Sequence, residues 1–123
     1  MYKSFEEMPV WQEAFELADE IYNIVEKFPK SELYALSSQI KRSVISISAN
    51  IAESYGRHHT LEKINFYYFA RGSVYETKSH LLFAFKRGYL SKDEYDILNK
   101  KINSIILSLN SIIKSLKVKK PKS

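Results

Sequence analysis

Six polar residues near the middle of the chain have the types and spacing that could do chemistry. Gln39, Arg42, Ser46, Asn50 and Glu53 recur every three or four residues, which places them on one stripe of a helix. Glu76 belongs to a later segment, and His80 stands four residues beyond it, on the same helix face. Carboxylates beside an imidazole and a guanidinium could form an acid/base pair or a metal site. The pattern argues against both. A di-iron bundle repeats Glu-x-x-His at i, i+3 on two helices, and this chain carries neither copy. No nucleophile–base constellation and no Gly-rich phosphate loop accompany the stripe. The expectation is a buried hydrogen-bonded network of Gln39, Arg42, Ser46, Asn50, Glu53 and Glu76 that fixes helix register. No catalytic residue, no metal and no cofactor is expected, and the protein is read as a non-enzyme.

The second chemistry is charge. The net charge is +5, unevenly placed. Residues 1–60 hold six Lys/Arg against nine Asp/Glu, and residues 61–123 hold thirteen against five. After Asp96 come seven Lys and no acid. Such asymmetry favours an anionic partner, nucleic acid before a membrane surface. The candidate phosphate contacts are Arg57, His58, Lys63, Arg71, Lys78, Lys114, Lys117, Lys119 and Lys120. No recognition-helix, zinc-finger or aromatic ribonucleoprotein motif is present. Binding to RNA or DNA should therefore rest on phosphates, with low sequence specificity.

Helices must position these groups. Pro9 suits a first helical position, and apolar residues from Trp11 to Phe28 keep helical spacing. Pro29 then breaks the pattern, and Ser31 is the expected N-cap of a second helix. Within it Leu36, Ile40, Val44, Ile47 and Ile51 form an apolar face beside the polar stripe. Thr60 is the expected cap of a third helix and Gly88 its stop. Ser91 to Glu94 reads as a capping box. Leu98, Ile102, Ile105, Leu109, Ile112 and Leu116 then repeat in a heptad-like seam. The spacing predicts helices over about 9–28, 31–55, 61–87 and 92–117 in one domain, residues 1–118. Residues 119–123 read as a basic disordered tail. The fold class is all-α, an antiparallel up-down-up-down four-helix bundle.

With no Cys, the fold has neither disulfides nor thiolate chemistry. No run of about 18 apolar residues offers a membrane span. The N-terminus lacks the layout of a secretion signal, so a cytoplasmic location is expected. Apolar residues exceed what one bundle should hide. Phe66, Tyr67, Tyr68 and Phe69 are consecutive and point to all sides of a helix. Val10, Leu17 and Ile24 make an extra row. The expected surface between copies is Val10, Leu17, Ile24, Tyr55, Phe66, Tyr67 and Phe69. Gly72 inside a helix implies close packing as compensation.

Several motifs, taken together, resemble a known family. They are Trp11-Gln12, Phe28-Pro29 with Glu32, Gln39 with Arg42, Asn50-Ile51-Ala52-Glu53, and Gly72-Ser73 with Glu76. Over residues 5–116 the chain resembles the four-helix-bundle proteins encoded in intervening sequences of bacterial 23S ribosomal RNA genes. That family is related to the accessory variability proteins of diversity-generating retroelements. The chain departs from the pattern at Ser54-Tyr55-Gly56 and at His80. The resemblance implies a ring-like homopentamer that binds nucleic acid through basic surface, with no enzymatic activity. For the retroelement branch it implies a protein-interaction adaptor whose partner is a reverse transcriptase.

Overall fold

The computed structural model describes residues 1–119. Four long helices account for most of them: α1 (Pro9–Val25), α2 (Leu36–Tyr55), α3 (Thr60–Lys86) and α4 (Lys92–Val118). Short 3-10 turns at Phe5–Glu7 and Lys30–Glu32 precede α1 and α2. No strand occurs among the described residues. The expected tail lies outside them, save Lys119.

One apolar core joins all four helices. Leu17 and Ile21 of α1, Ile40, Ile47 and Ile51 of α2, Val74 and Leu81 of α3, and Leu98, Ile102 and Leu109 of α4 are almost fully buried. α2 touches α1 and α3, and α4 touches α3 and α1, the packing of a four-helix bundle. Burying such side chains contributes roughly 1.5–3 kcal/mol each against the entropy of ordering the chain.

The helix ends show which local signals decide. Pro9 occupies the first turn of α1, where its missing N–H leaves nothing unpaired. α1 ends at Val25, short of the expected 28, and α2 begins at Leu36, not at 31. Ser31 is not a cap; it lies in the 3-10 turn Lys30–Glu32. Glu32 serves α2 instead: its Oε1 accepts from the Leu36 N–H at 3.4 Å, and its Oε2 accepts from the Tyr89 hydroxyl at 2.8 Å. Phe28 is buried beside the Tyr89 ring, 5.4 Å between centroids. The Phe-Pro-x-x-Glu motif thus clamps the α1–α2 turn to the α3–α4 turn. Thr60 is the first residue of α3 and His59 its N-cap, with no side-chain bond.

Gly88 closes α3 with φ +81°. The Gly88 N–H donates to the Phe85 carbonyl at 3.0 Å and the Tyr89 N–H to Ala84 at 2.9 Å, which satisfies the last carbonyls. Ser91 and Glu94 form the reciprocal capping box of α4, at 3.0 and 2.9 Å.

Candidate nucleic-acid interface

The polar stripe does not form the buried network expected of it. It divides into three groups along the α2–α3 seam. Arg42 Nη2 donates to Gln39 Oε1 at 2.8 Å and to Glu76 Oε2 at 2.7 Å. His80 Nε2 lies 3.4 Å from the same carboxylate. The Arg42 and Glu76 side chains are 61% and 38% exposed, so water screens the pair. A second group is drier: Asn50 donates to the Ser46 hydroxyl at 3.0 Å, Ser73 to Ser46 at 2.9 Å, and Thr77 to the buried Ser43 at 2.9 Å. Glu53 stands apart and pairs with Arg57 at 2.9 Å. Ser43, Ser73 and Thr77 are additions to the expected set. Their signal in the sequence is small hydroxyl residues at helical spacing on two facing helices. No cluster of three or more metal-ligating side chains occurs among the described residues.

The basic candidates also separate. Arg57, His58 and Lys63 sit at the α2–α3 turn, where two of them have structural work. Arg57 pairs with Glu53, lies 3.8 Å from Glu62 and covers the Phe66 ring at 4.7 Å. Lys63 Nζ donates to the Ser54 carbonyl at 3.1 Å, supplying a cation at the C-terminal end of α2. His58 is exposed and edges His59.

Arg71, Lys78, Lys114 and Lys117 share a different surface, the seam between α3 and α4. Arg71 Nη1 donates to Asn110 Oδ1 at 2.9 Å, and Lys78 Nζ to Asn103 Oδ1 at 3.4 Å. Each of these two α3 cations is thus held by an Asn of α4. The two rungs stand one heptad apart, about 10.5 Å along the helix. Arg71 and Lys117 lie against the Tyr68 ring at 5.0 and 5.4 Å. Lys114 shares a shallow hollow with Arg71 and Lys117. None of these four cations pairs with a carboxylate among the described residues. Lys119 follows just beyond, and Lys120 lies outside the described residues.

The expected contact surface between copies needs correction. Val10, Leu17 and Tyr67 are 4%, 1% and 5% exposed, so they belong to the subunit's own core. The row at intervals of seven faces inward with Ala14, Ala18 and Ile21 because a core-facing stripe is wider than one row. Burial raises the Tyr67 phenol above its ordinary range; Ser54 beside it acts the other way, and Tyr2 adds a smaller upward push. Ile24 and Phe66 are partly covered, while Tyr55 and Phe69 are exposed. Other large apolar side chains of α3 are uncovered too: Phe69 and Tyr75, about one turn either side of Gly72, and Leu82 and Phe83, roughly three turns further along. Nothing lies within 4 Å of where a Gly72 Cβ would stand. No close neighbour within the subunit compensates for that glycine.

These features define an all-helical protein of four packed helices with a basic seam along one side. The sequence profile of the 23S rRNA-intervening sequence protein family matches residues 6–111, and the chain belongs to that family. Its structure is similar to the crystal structure of a protein of unknown function from the S23 ribosomal protein family of Bacteroides thetaiotaomicron VPI-5482. That likeness has a TM-score of 0.80 at 29% identity and covers 85% of this chain and 98% of the other. No curated protein matches the chain. No helix among the described residues is long and apolar enough to cross a membrane.

Proposed function

We propose that this protein is a non-enzymatic, homo-oligomeric scaffold that binds structured nucleic acid by charge and shape, in the bacterial cytoplasm. The observation that carries the reading is the α3–α4 seam, where Arg71, Lys78, Lys114 and Lys117 stand free of carboxylates among the described residues. A row of cations without counter-charges suits phosphates and carries no base readout. The pairs Ser43–Thr77 and Ser46–Ser73 support an antiparallel α2 and α3, since one number falls as the other rises. Short connections extend that to an up-down-up-down bundle. Exposed Tyr55, Phe69, Tyr75 and Phe83 support association of copies, and the family resemblance suggests a pentameric ring.

The test is salt dependence. Binding of a fluorescent RNA hairpin by the wild type should weaken steeply with salt. Changing Arg71, Lys78, Lys114 and Lys117 to Gln should flatten the slope by about 0.7–0.9 for each phosphate no longer neutralised. An unchanged slope would reject the seam. A second reading has its own support: the apolar outer face of α3 suits a protein partner, such as a reverse transcriptase, with nucleic acid touched only indirectly. Absence of direct RNA binding at low salt, with Phe83→Asp abolishing partner capture, would favour it.

A further inference from the structure

α1 and α4 differ in length, and the difference leaves a groove. α1 has 17 residues and α4 has 27, about 26 and 40 Å at 1.5 Å per residue. α4 is therefore longer than the helix beside it by about 15 Å. Near the C-terminal end of α4 the walls come from α4, from the start of α1 and from Tyr55, Lys63 and Tyr67 of α2 and α3, with Met1 and Tyr2 beside them. A groove of about 1020 Å³ results. Val10, Tyr67, Ile112 and Leu116 give it an apolar lining. Lys63 and Lys119 are its charged side chains, and no Asp or Glu among the described residues lines it.

α1 itself has the opposite character. It carries Glu13, Glu16, Asp19 and Glu20 and no Lys, Arg or His. Glu20 is taken by Lys101, and Glu13 accepts from Ser104. Glu16 and Asp19 are exposed and make no ion pair among the described residues. Phe15 is close to them on the helix surface, 53% exposed and stacked on Trp11 at 4.7 Å. One molecule thus presents an acidic face with an aromatic knob and, elsewhere, a basic groove with an apolar floor.

We infer that the groove beside α4 receives the α1 face of a second copy, with Phe15 of the incoming copy on the apolar lining and its Glu16 and Asp19 toward Lys63 and Lys119. The inference rests on the self-association proposed above and names its contact. Two different patches of one chain meet, so the interface is heterologous. Such a contact propagates from copy to copy and closes into a ring where the rotation allows. Opposed charges set the docking direction and disfavour α1 against α1.

Charge exchange tests the pairing in the full-length chain. Glu16→Lys with Asp19→Lys turns the exposed patch around Phe15 basic, with Glu13 and Glu20 unchanged, and Ser111→Glu with Lys119→Glu makes the groove acidic. Each altered protein alone should sediment as a smaller species, with apparent association weakened by about tenfold or more. An equimolar mixture should recover larger species, because the basic Phe15 patch of one then meets the acidic groove of the other. All four positions except Lys119 are in helices and all are exposed, so unchanged far-UV circular dichroism serves as the folding control. The single Trp11, next to Phe15, reports the contact by a blue shift of its emission. A wild type that is a lone subunit at every concentration rejects self-association itself. A wild type that associates, with neither exchange changing its size, rejects the pairing alone and leaves the groove to another occupant. Failure of the mixture to recover also rejects the pairing.

Discussion

Glu32 joins two distant turns with one carboxylate, receiving the Leu36 N–H and the Tyr89 hydroxyl. Residues of this kind are legible as motifs, but their partners are not, because Tyr89 stands 57 positions away. Arg42 and Glu76 teach the converse. Their pairing across helices was foreseeable, yet their exposure was not, since spacing on α2 cannot show how deep the stripe sits. A double-mutant cycle with Arg42→Ala and Glu76→Ala should therefore yield a coupling below about 1 kcal/mol. A value near the roughly 3–5 kcal/mol of a broken buried pair would show that assembly covers this site. Tyr67 offers a test by pH. Burial holds its phenol above the ordinary 10.0, so the unfolded chain releases this proton first. As the pH rises past that ordinary value, ionisation of the unfolded chain draws the equilibrium away from the fold. The Tyr67 contribution is therefore complete below pH 10 and declines above it, until the folded phenol ionises as well. Urea unfolding of Tyr67→Phe should show a shallower loss of stability above about pH 10 than the wild type. Equal slopes would mean that the phenol is as well solvated in the fold as outside it.

The four helices differ in how plainly their sequences announce them. α4 has a local cap, so its start follows from nearby residues. Its seam buries Leu98, Ile102, Ile105 and Leu109 as the spacing predicts, with Ile106 beside them, but near the end Ile113 turns inward while Ile112 and Leu116 stay partly covered. Ser91→Ala should cost about 1 kcal/mol, measured by chemical unfolding, because the cap loses the hydroxyl that holds the Glu94 N–H. α2 begins later than its sequence suggests. The chain spends residues 30–32 on a 3-10 turn, and Glu32 acts from outside the helix. α3 is the least legible element, with apolar residues on every side, so no wheel projection separates core from surface. Its burial depends on where α2 and α4 lie. Gly72 follows from this: it sits on the open side, within the helix and with room for a methyl group. Gly72→Ala should raise the stability of the subunit by roughly 0.5–1 kcal/mol through the reduced freedom of the unfolded chain. Loss of stability instead would mean that another surface already approaches that backbone.

At the scale of the molecule, the charge asymmetry read from the sequence becomes a geometry. Acids collect on α1, and cations without acidic partners collect along α3 and α4. Composition reveals the imbalance, but only the folded chain shows that Arg57 and Lys63 are engaged at the α2–α3 turn while Arg71 and Lys117 lie against an aromatic ring. Each subunit offers about four seam cations, too few for tight binding at physiological salt if it acts alone. Linked seams would act together, because each contact after the first is made within one complex. Assembly and nucleic-acid affinity should therefore fall together. In the Glu16→Lys, Asp19→Lys protein the seam is intact and α1 gains positive charge, so a lone subunit should bind a short hairpin at least as well as a wild-type subunit does. On a long duplex, where several subunits could engage at once, the same protein should bind more weakly than the wild type by about 10-fold or more. Fluorescence anisotropy on the two lengths of RNA measures the difference. Equal affinities on the long duplex would show that each seam binds independently of its neighbours, and the scaffold would then owe its affinity to single subunits.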